Sequence, residues 1–303
     1  MAAADPVVTI DPPIEKPTKS SEASIALRTK SAWASVFAAI IALLWTIPTL
    51  GLLITSFRPA ADIRRSGWWT IWRDPVFTLK NYEQALFSGT TNLSSYFVNS
   101  LVITIPAVLI PITIACMAAY GFAWIKFKGV GLLFVAVFAL QIVPIQVTLV
   151  PLQTLFVQAG LAGTFWPIWI AHSIFALPLA IYLLHNFMSE LPAELVEAAR
   201  VDGAGHMTIF FRIMLPLMVP AIAAFAIFQF LWVWNDLLVG LTFGASPEVA
   251  PLTVRVAELV GSKGSQWHLL SSGAFISMIV PLMVFLAFQR FFVRGLLAGS
   301  VKG

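Results

Sequence analysis

Charge is what this sequence has least of. Asp, Glu, Lys and Arg make up 11% of its 303 residues while 59% are hydrophobic, against roughly 25% charged residues in a typical soluble domain. That balance excludes an ordinary water-soluble fold. Cys116 is the single cysteine, so no disulfide framework exists. No Gly-x-x-x-x-Gly-Lys-Ser/Thr phosphate loop occurs, which argues against ATP hydrolysis by this chain. Neither Gly-x-Ser-x-Gly nor His-Glu-x-x-His is present, and no Cys or His cluster has metal-ligand spacing. The sequence therefore offers no catalytic residue and no metal site. Short-period repeats are absent too.

What is present is a series of long uncharged runs. Residues Ser31–Phe57, Phe97–Ile125, Ile213–Asn235 and Gly264–Gln289 each lack acidic and basic residues, and Gly129–Ser189 is uncharged for long enough to hold two spans. Each exceeds the roughly 20 residues that cross a bilayer core. The sequence predicts an all-α membrane protein of six helices, near Ala32–Ser56, Phe97–Trp124, Val130–Val157, Thr164–Asn186, Ile213–Trp234 and Leu269–Gln289.

The net charge of +4 is a topology signal rather than a nucleic-acid signal. With the N-terminus in the cytoplasm, the inner segments hold Lys16, Lys19, Arg28, Lys30, Lys126, Lys128, Arg200, Arg212, Arg290, Arg294 and Lys302. The outer loops hold Arg58, Arg64, Arg65, Arg73, Lys80, Arg255 and Lys263, so the division is 11 to 7 of the 18 basic residues. That is the direction of the positive-inside rule, and it puts both termini of a multi-pass plasma-membrane protein in the cytoplasm. Residues 1–31, rich in Pro, Ser, Lys and Glu, read as a disordered tail ahead of a membrane domain over 32–303. The first apolar run is too long for a cleaved signal sequence and reads as a retained span.

Within the spans, polar and kinking residues are few. Pro106 and Pro111 lie in the second helix, where neighbours must re-satisfy the carbonyls they free; they mark either a pathway lining or simple kinks. Gln141, Gln146 and Gln153 punctuate the third, along with Pro144. Trp232, Trp234, Asn235 and Asp236 close the fifth where it should reach the outer interface, the tryptophans suiting an aromatic belt; with the three glutamines they are the candidates for a substrate pathway. An ionisable group at membrane depth is a functional candidate by default, so Asp236 is either a polar pathway lining or a helix-end anchor. His172 and His185 are interior hydrogen-bonding histidines or ligands. Trp68, Trp69 and Trp72 mark a membrane interface or a contact surface for an external partner.

The most informative stretch runs from Glu190 to Gly205. Pro192 suits a helix start and Gly203 the left-handed residue just past its end, leaving a helix of about 11 residues. Glu190, Glu194 and Glu197 are spaced to share one face, with Leu191, Leu195, Ala198 and Ala199 as an adjoining apolar strip; Asp202 and Gly205 complete the segment. An amphipathic helix lying on lipid favours Lys and Arg on its polar face, whereas this one is acidic. A polar helix between two membrane spans suits docking on a soluble protein.

Glu197-Ala198-Ala199, three residues, Gly203, nine residues, then Ile213-Met214-Leu215-Pro216 resembles the ATPase-docking loop of bacterial ABC importer permeases. Phe187-Met188-x-x-Leu191-Pro192, Trp234-Asn235 and the ending Gly299-Ser300-Val301-Lys302-Gly303 are similar to the smaller permease of maltose-type carbohydrate importers, and Thr253–Phe275 to α-glucoside permeases. The resemblance implies a type I importer fold and a coupling helix near 190–205 seated in an ATPase cleft. It also implies C-terminal residues 290–303 reaching toward an ATPase dimer that binds ATP and Mg, no cofactor in this chain, a homologous second permease and an external sugar-binding protein. An ABC permease for another small solute is the near alternative. An ion-coupled secondary transporter is the distant one, and it needs interior ionisable groups that the spans scarcely offer.

Overall fold

The structure, a computed structural model, describes residues 32–88, 92–260 and 266–298, the side chains of 32, 33 and 290–298 excepted. The expected N-terminal tail and the last residues of the chain lie outside the described residues. The chain divides into two compact units, 1–51 and 52–303, within the first long helix, α1 (Ala32–Ser56). In the first unit α1 is apolar on every side, with Phe37, Leu43 and Trp45 exposed. A helix hydrophobic all round suits lipid rather than water.

In the second unit, short elements α2 (Ala60–Arg65), a 3₁₀ turn (Trp68–Trp72) and α3 (Lys80–Phe87) come first. They form an ordered cap where the sequence suggested only a loop. Arg58, 4% exposed, holds the cap together. Its guanidinium donates to the Ser66 carbonyl at 3.0 Å, Ser66 Oγ at 2.7 Å and Thr70 Oγ1 at 3.2 Å. Asn81 Nδ2 donates to the carbonyls of Ser56 and Arg58, two of the groups a helix end leaves unpaired. Above Arg58, Ile71 turns inward while Trp69 and Trp72 face out.

The long helices follow: α4 (Leu93–Trp124), α5 (Val130–Ala139), α6 (Ile145–Gln158) and α7 (Trp166–Ser189), then α8 (Ala193–Val201), α9 (His206–Leu217), α10 (Val219–Asn235), α11 (Leu238–Phe243), α12 (Leu252–Val260) and α13 (Trp267–Ala298). Four helices, α1, α4, α7 and α13, are long and apolar enough to span a membrane; α5–α6 and α9–α10 bring the number to six when each bent pair is one span. No strand occurs among the described residues.

Two spans expected as single helices are bent pairs. The third span breaks by 98° between Ile142 and Ile145. Pro144 has no N–H to give, and Val143 before it is extended (φ −70°, ψ 120°), the conformation a following proline imposes. The Leu140 carbonyl accepts instead from Val143 N–H at 3.2 Å, closing a 3₁₀ turn. The fifth span starts at His206 rather than Ile213 and bends by 69° next to Met218. A π-helical turn over Phe210–Met214 precedes that bend, and Pro216 and Pro220 flank it.

Three prolines, Pro106 and Pro111 of α4 and Pro281 of α13, leave their helices continuous while the carbonyls they free bond to a neighbour. Pro106 frees the carbonyl of Val102, which accepts from Trp169 Nε1 of α7 at 3.0 Å. Pro111 frees that of Ala107, which accepts from Gln229 Nε2 of α10 at 3.3 Å. Pro281 frees that of Ser277, which accepts from Trp234 Nε1 at 2.9 Å. Each of these three carbonyls is captured by a neighbouring helix, as a medium without water favours.

Between α4 and α7 the contact is made of small residues. Ala107, Ala115 and Ala119 of α4 and Ala171, Ala176 and Ala180 of α7 are all 0% exposed. Lipid offers no hydrophobic drive between helices, so close backbone approach and dispersion hold them together.

Candidate docking surface and pathway

The segment after α7 takes the shape its sequence suggests, with changes of detail. Helix α8 covers nine residues, about 13 Å at the usual rise, rather than eleven. Pro192 is its extended N-terminal flank (φ −58°, ψ 130°) and not its first helical residue. Glu190 and Leu191 precede the helix: Glu190 ends α7 in right-handed conformation. The acidic face on α8 is therefore Glu194 and Glu197, without Glu190, and among the described residues neither forms an ion pair.

The C-terminus of α8 is a Schellman turn. Gly203 has φ +81°; its N–H reaches the Arg200 carbonyl at 3.0 Å, and Ala204 N–H reaches Ala199 at 2.9 Å. A Cβ at Gly203 would meet nothing within 4 Å, so the need for glycine comes from the backbone alone. Asp202 and Gly205 are exposed in the same turn.

Which residues α8 presents also differs from expectation. Val196 and Ala199 are buried, at 2% and 8%, in the core that includes Ile209, Phe210 and Met214. Ala199 thus anchors the helix instead of facing outward. The open side carries Leu195, Glu194, Glu197, Ala198 and Val201, and continues into Met207 and Phe211 of α9, with Val201 88% and Met207 74% exposed. Apolar residues thus stand exposed beside carboxylates on this side of the helix.

Sequence reasoning missed a contact beneath this surface. Tyr120 Oη, near the end of α4, lies 2.9 Å from Nδ1 of His206, the first residue of α9. The rings meet edge-on with centroids 5.9 Å apart, and Phe210 meets Tyr120 edge-on at 5.3 Å. The available signal was a tyrosine in an apolar span, whose hydroxyl needs a partner when buried.

The pathway candidates do not form one site. Gln141 and Gln146 do converge: both line an open groove of about 660 Å³ at the break of the third span, walled by Ile142, Pro144, Ile174 and Phe175. Gln153 belongs to a separate pocket of about 240 Å³ and donates to the Thr242 carbonyl at 3.3 Å. Trp234 is 3% exposed and committed to the core by its bond to Ser277, which corrects its reading as a pathway residue. Trp232 packs against Phe228, with ring centroids 6.3 Å apart. Asn235 donates to the Leu231 carbonyl one turn back at 2.7 Å.

Asp236 behaves as a helix anchor. Its Oδ2 accepts from the N–H groups of Val239 at 2.8 Å and Gly240 at 3.3 Å, capping α11, while its carbonyl accepts from Thr253 Oγ1. His185 shares long contacts of 3.4 Å with Asn186 and Ser189, and His172 is buried in α7.

Residues 85–298 match the family described as "Binding-protein-dependent transport system inner membrane component". An "Osmoprotective compounds uptake permease protein" of Synechocystis sp. is 54% identical, covering 86% of this chain and 89% of its own length. An "Alpha-glucoside transport system permease protein" of Rhizobium meliloti is 48% identical over 82% of this chain and 68% of its own length. In three dimensions, a bacterial ABC transporter that imports the acidic polysaccharide alginate superposes with a TM-score of 0.68, at 18% identity, over 92% of this chain and 99% of that one. The last comparison carries the fold.

Proposed function

This chain belongs to the binding-protein-dependent transport system inner membrane component family, and from that premise we propose that it carries α-glucosides inward, driven through α8 by an ATPase in another subunit. It is a multi-pass permease subunit of a sugar ABC importer with the type I fold, and ATP is hydrolysed in a partner. The proposal adds the coupling route, the sugar class, the orientation and the remaining partners.

The exposed side of α8 carries this reading. Glu194, Glu197, Leu195, Ala198 and Val201 are held outward by a helix whose opposite side is fixed in the core and whose end is fixed by Gly203. In this scheme ATP and Mg close the ATPase dimer, and α8 moves with its counterpart on a homologous second permease. The permease pair then opens outward to take sugar from an external binding protein, and hydrolysis resets it. Lipid surrounds the spans, both termini are cytoplasmic, and the chain itself needs no cofactor.

Among the candidate pathway groups, Gln141 and Gln146 are the ones that face a shared open groove. Selection of the sugar falls mainly to the external protein. The osmoprotectant permease at 54% identity favours a second reading, in which the solute is an osmoprotectant. A glucoside such as trehalose satisfies both.

Uptake competition among labelled maltose, sucrose and trehalose, in cells lacking other sugar permeases, tests the substrate. ATP-driven uptake of an unrelated solute with no α-glucoside uptake removes the sugar claim alone. Cysteine labelling tests orientation: position 80 should be reached from outside, and positions 128 and 200 from inside. The inverse pattern removes the docking claim.

A further inference from the structure

We infer that Tyr120 and His206 form a latch, a pair of positioning residues that transmits displacement of the docking segment into the helix bundle. The inference rests on the docking role of α8 proposed above. Helix α8 touches the core through Val196 and Ala199, two small apolar side chains, and dispersion contacts of that kind have no direction of their own. The hydrogen bond between Tyr120 and His206 does have direction, and it spans 86 residues of sequence at 2.9 Å. Tyr120 is 5% exposed and gripped on its ring by both His206 and Phe210.

The segment joining α8 to the latch is short and fixed. Only Asp202–Gly205 separates the two helices, and the Schellman bonds of Gly203 and Ala204 set its path. Beyond the latch, α9 departs from regular helix: the π-helical turn begins at Phe210 and the 69° bend follows at Met218. Such turns are frequent at functional sites. A push on α8 therefore meets a compliant route through α9 and a stiff one through Tyr120 into α4. Helix α4 is in turn bonded to α7 through Val102 and Trp169, and to α10 through Ala107 and Gln229. Movement at Tyr120 takes these helices along together.

The test uses the complete importer reconstituted in vesicles with its ATPase, second permease and external sugar-binding protein. One ratio is labelled trehalose, sucrose and maltose, supplied together, taken up per ATP hydrolysed. The other, which needs no labelled sugar, is ATP hydrolysis with the binding protein over hydrolysis without it. Tyr120→Phe and His206→Ala should each lower both ratios about three-fold, the factor of an ordinary net hydrogen bond, while the ATPase copurifies as in wild type. The double variant should be no worse than the worse single, because the two side chains act as one pair. His206→Asn, which keeps a hydrogen-bonding group, should recover most of the loss. Unchanged ratios in both single variants, or losses that add in the double, overturn the latch. Glu197→Lys, read together with Gly203→Val, separates the two ideas: if both keep wild-type ratios, the docking reading fails and the latch with it. If either lowers them while Tyr120→Phe and His206→Ala do not, the latch alone fails.

Discussion

Two proline-bearing regions of this bundle behave in opposite ways. In α4 and α13, Pro106, Pro111 and Pro281 sit inside continuous helices, and each carbonyl they free is captured by Trp169, Gln229 or Trp234 of a neighbour. At Pro144, the freed carbonyl of Leu140 is taken within the same segment, and the span turns through 98°. The first arrangement ties α4 to α7 and α10, and α10 to α13. The second opens a groove carrying the paired glutamines Gln141 and Gln146. The same residue type thus builds the rigid part of a transporter and its open part, according to where the donor comes from.

The contrast breaks most readily at Trp234. Trp234→Ala removes a side chain 3% exposed together with the donor to Ser277, and should cost about 3–5 kcal/mol, read as a large fall in thermal unfolding temperature in detergent. Trp234→Phe keeps most of the volume and loses the donor, so about 1 kcal/mol is expected, in the range of interhelical hydrogen bonds in membranes. Equal stability of wild type and Trp234→Phe would show that capture of the freed carbonyl is incidental.

Gln229→Leu should cost less than Trp234→Phe. It abandons the Ala107 carbonyl but also removes a buried Oε1 that has no hydrogen-bond partner, and removing an unpaired polar atom is favourable. The smallest stability change belongs to the groove. Gln141→Ala and Gln146→Ala, both at exposed positions, should shift stability by less than about 0.5 kcal/mol while lowering sugar uptake. Destabilisation as large as that of Trp234→Phe would reassign the groove to the rigid body.

Sequence order alone conveyed the spans well, because a charge-free run of 20-odd residues has few other uses. The end of the docking helix was equally legible: a left-handed residue after an amphipathic turn calls for glycine, and Gly203 has φ +81°. The fate of each proline was not legible. Pro111 and Pro144 look alike in sequence, and the donor Gln229 lies far along the chain from Pro111. Trp234 looked like a belt or pathway residue for the same reason, since its partner Ser277 is 43 residues away. Ala199 was expected to face outward but is buried beside Val196, and Glu190, exposed, precedes a helix that begins at Ala193, one residue after Pro192. For the link between Tyr120 and His206 the sequence signalled only that the Tyr120 hydroxyl needs a partner, and that partner lies 86 residues away.

The measurement closest to the central claim is sugar uptake per ATP hydrolysed in reconstituted vesicles for Gly203→Val, Gly203→Asn and Glu197→Lys. A β-branched residue resists the left-handed conformation, at roughly 1–2 kcal/mol, whereas asparagine tolerates it, and a Cβ at this position meets nothing within 4 Å. The account predicts that Gly203→Val and Glu197→Lys reach the membrane in normal amount but lose coupling, and that Gly203→Asn stays near wild type. Normal coupling in both Gly203→Val and Glu197→Lys would contradict it.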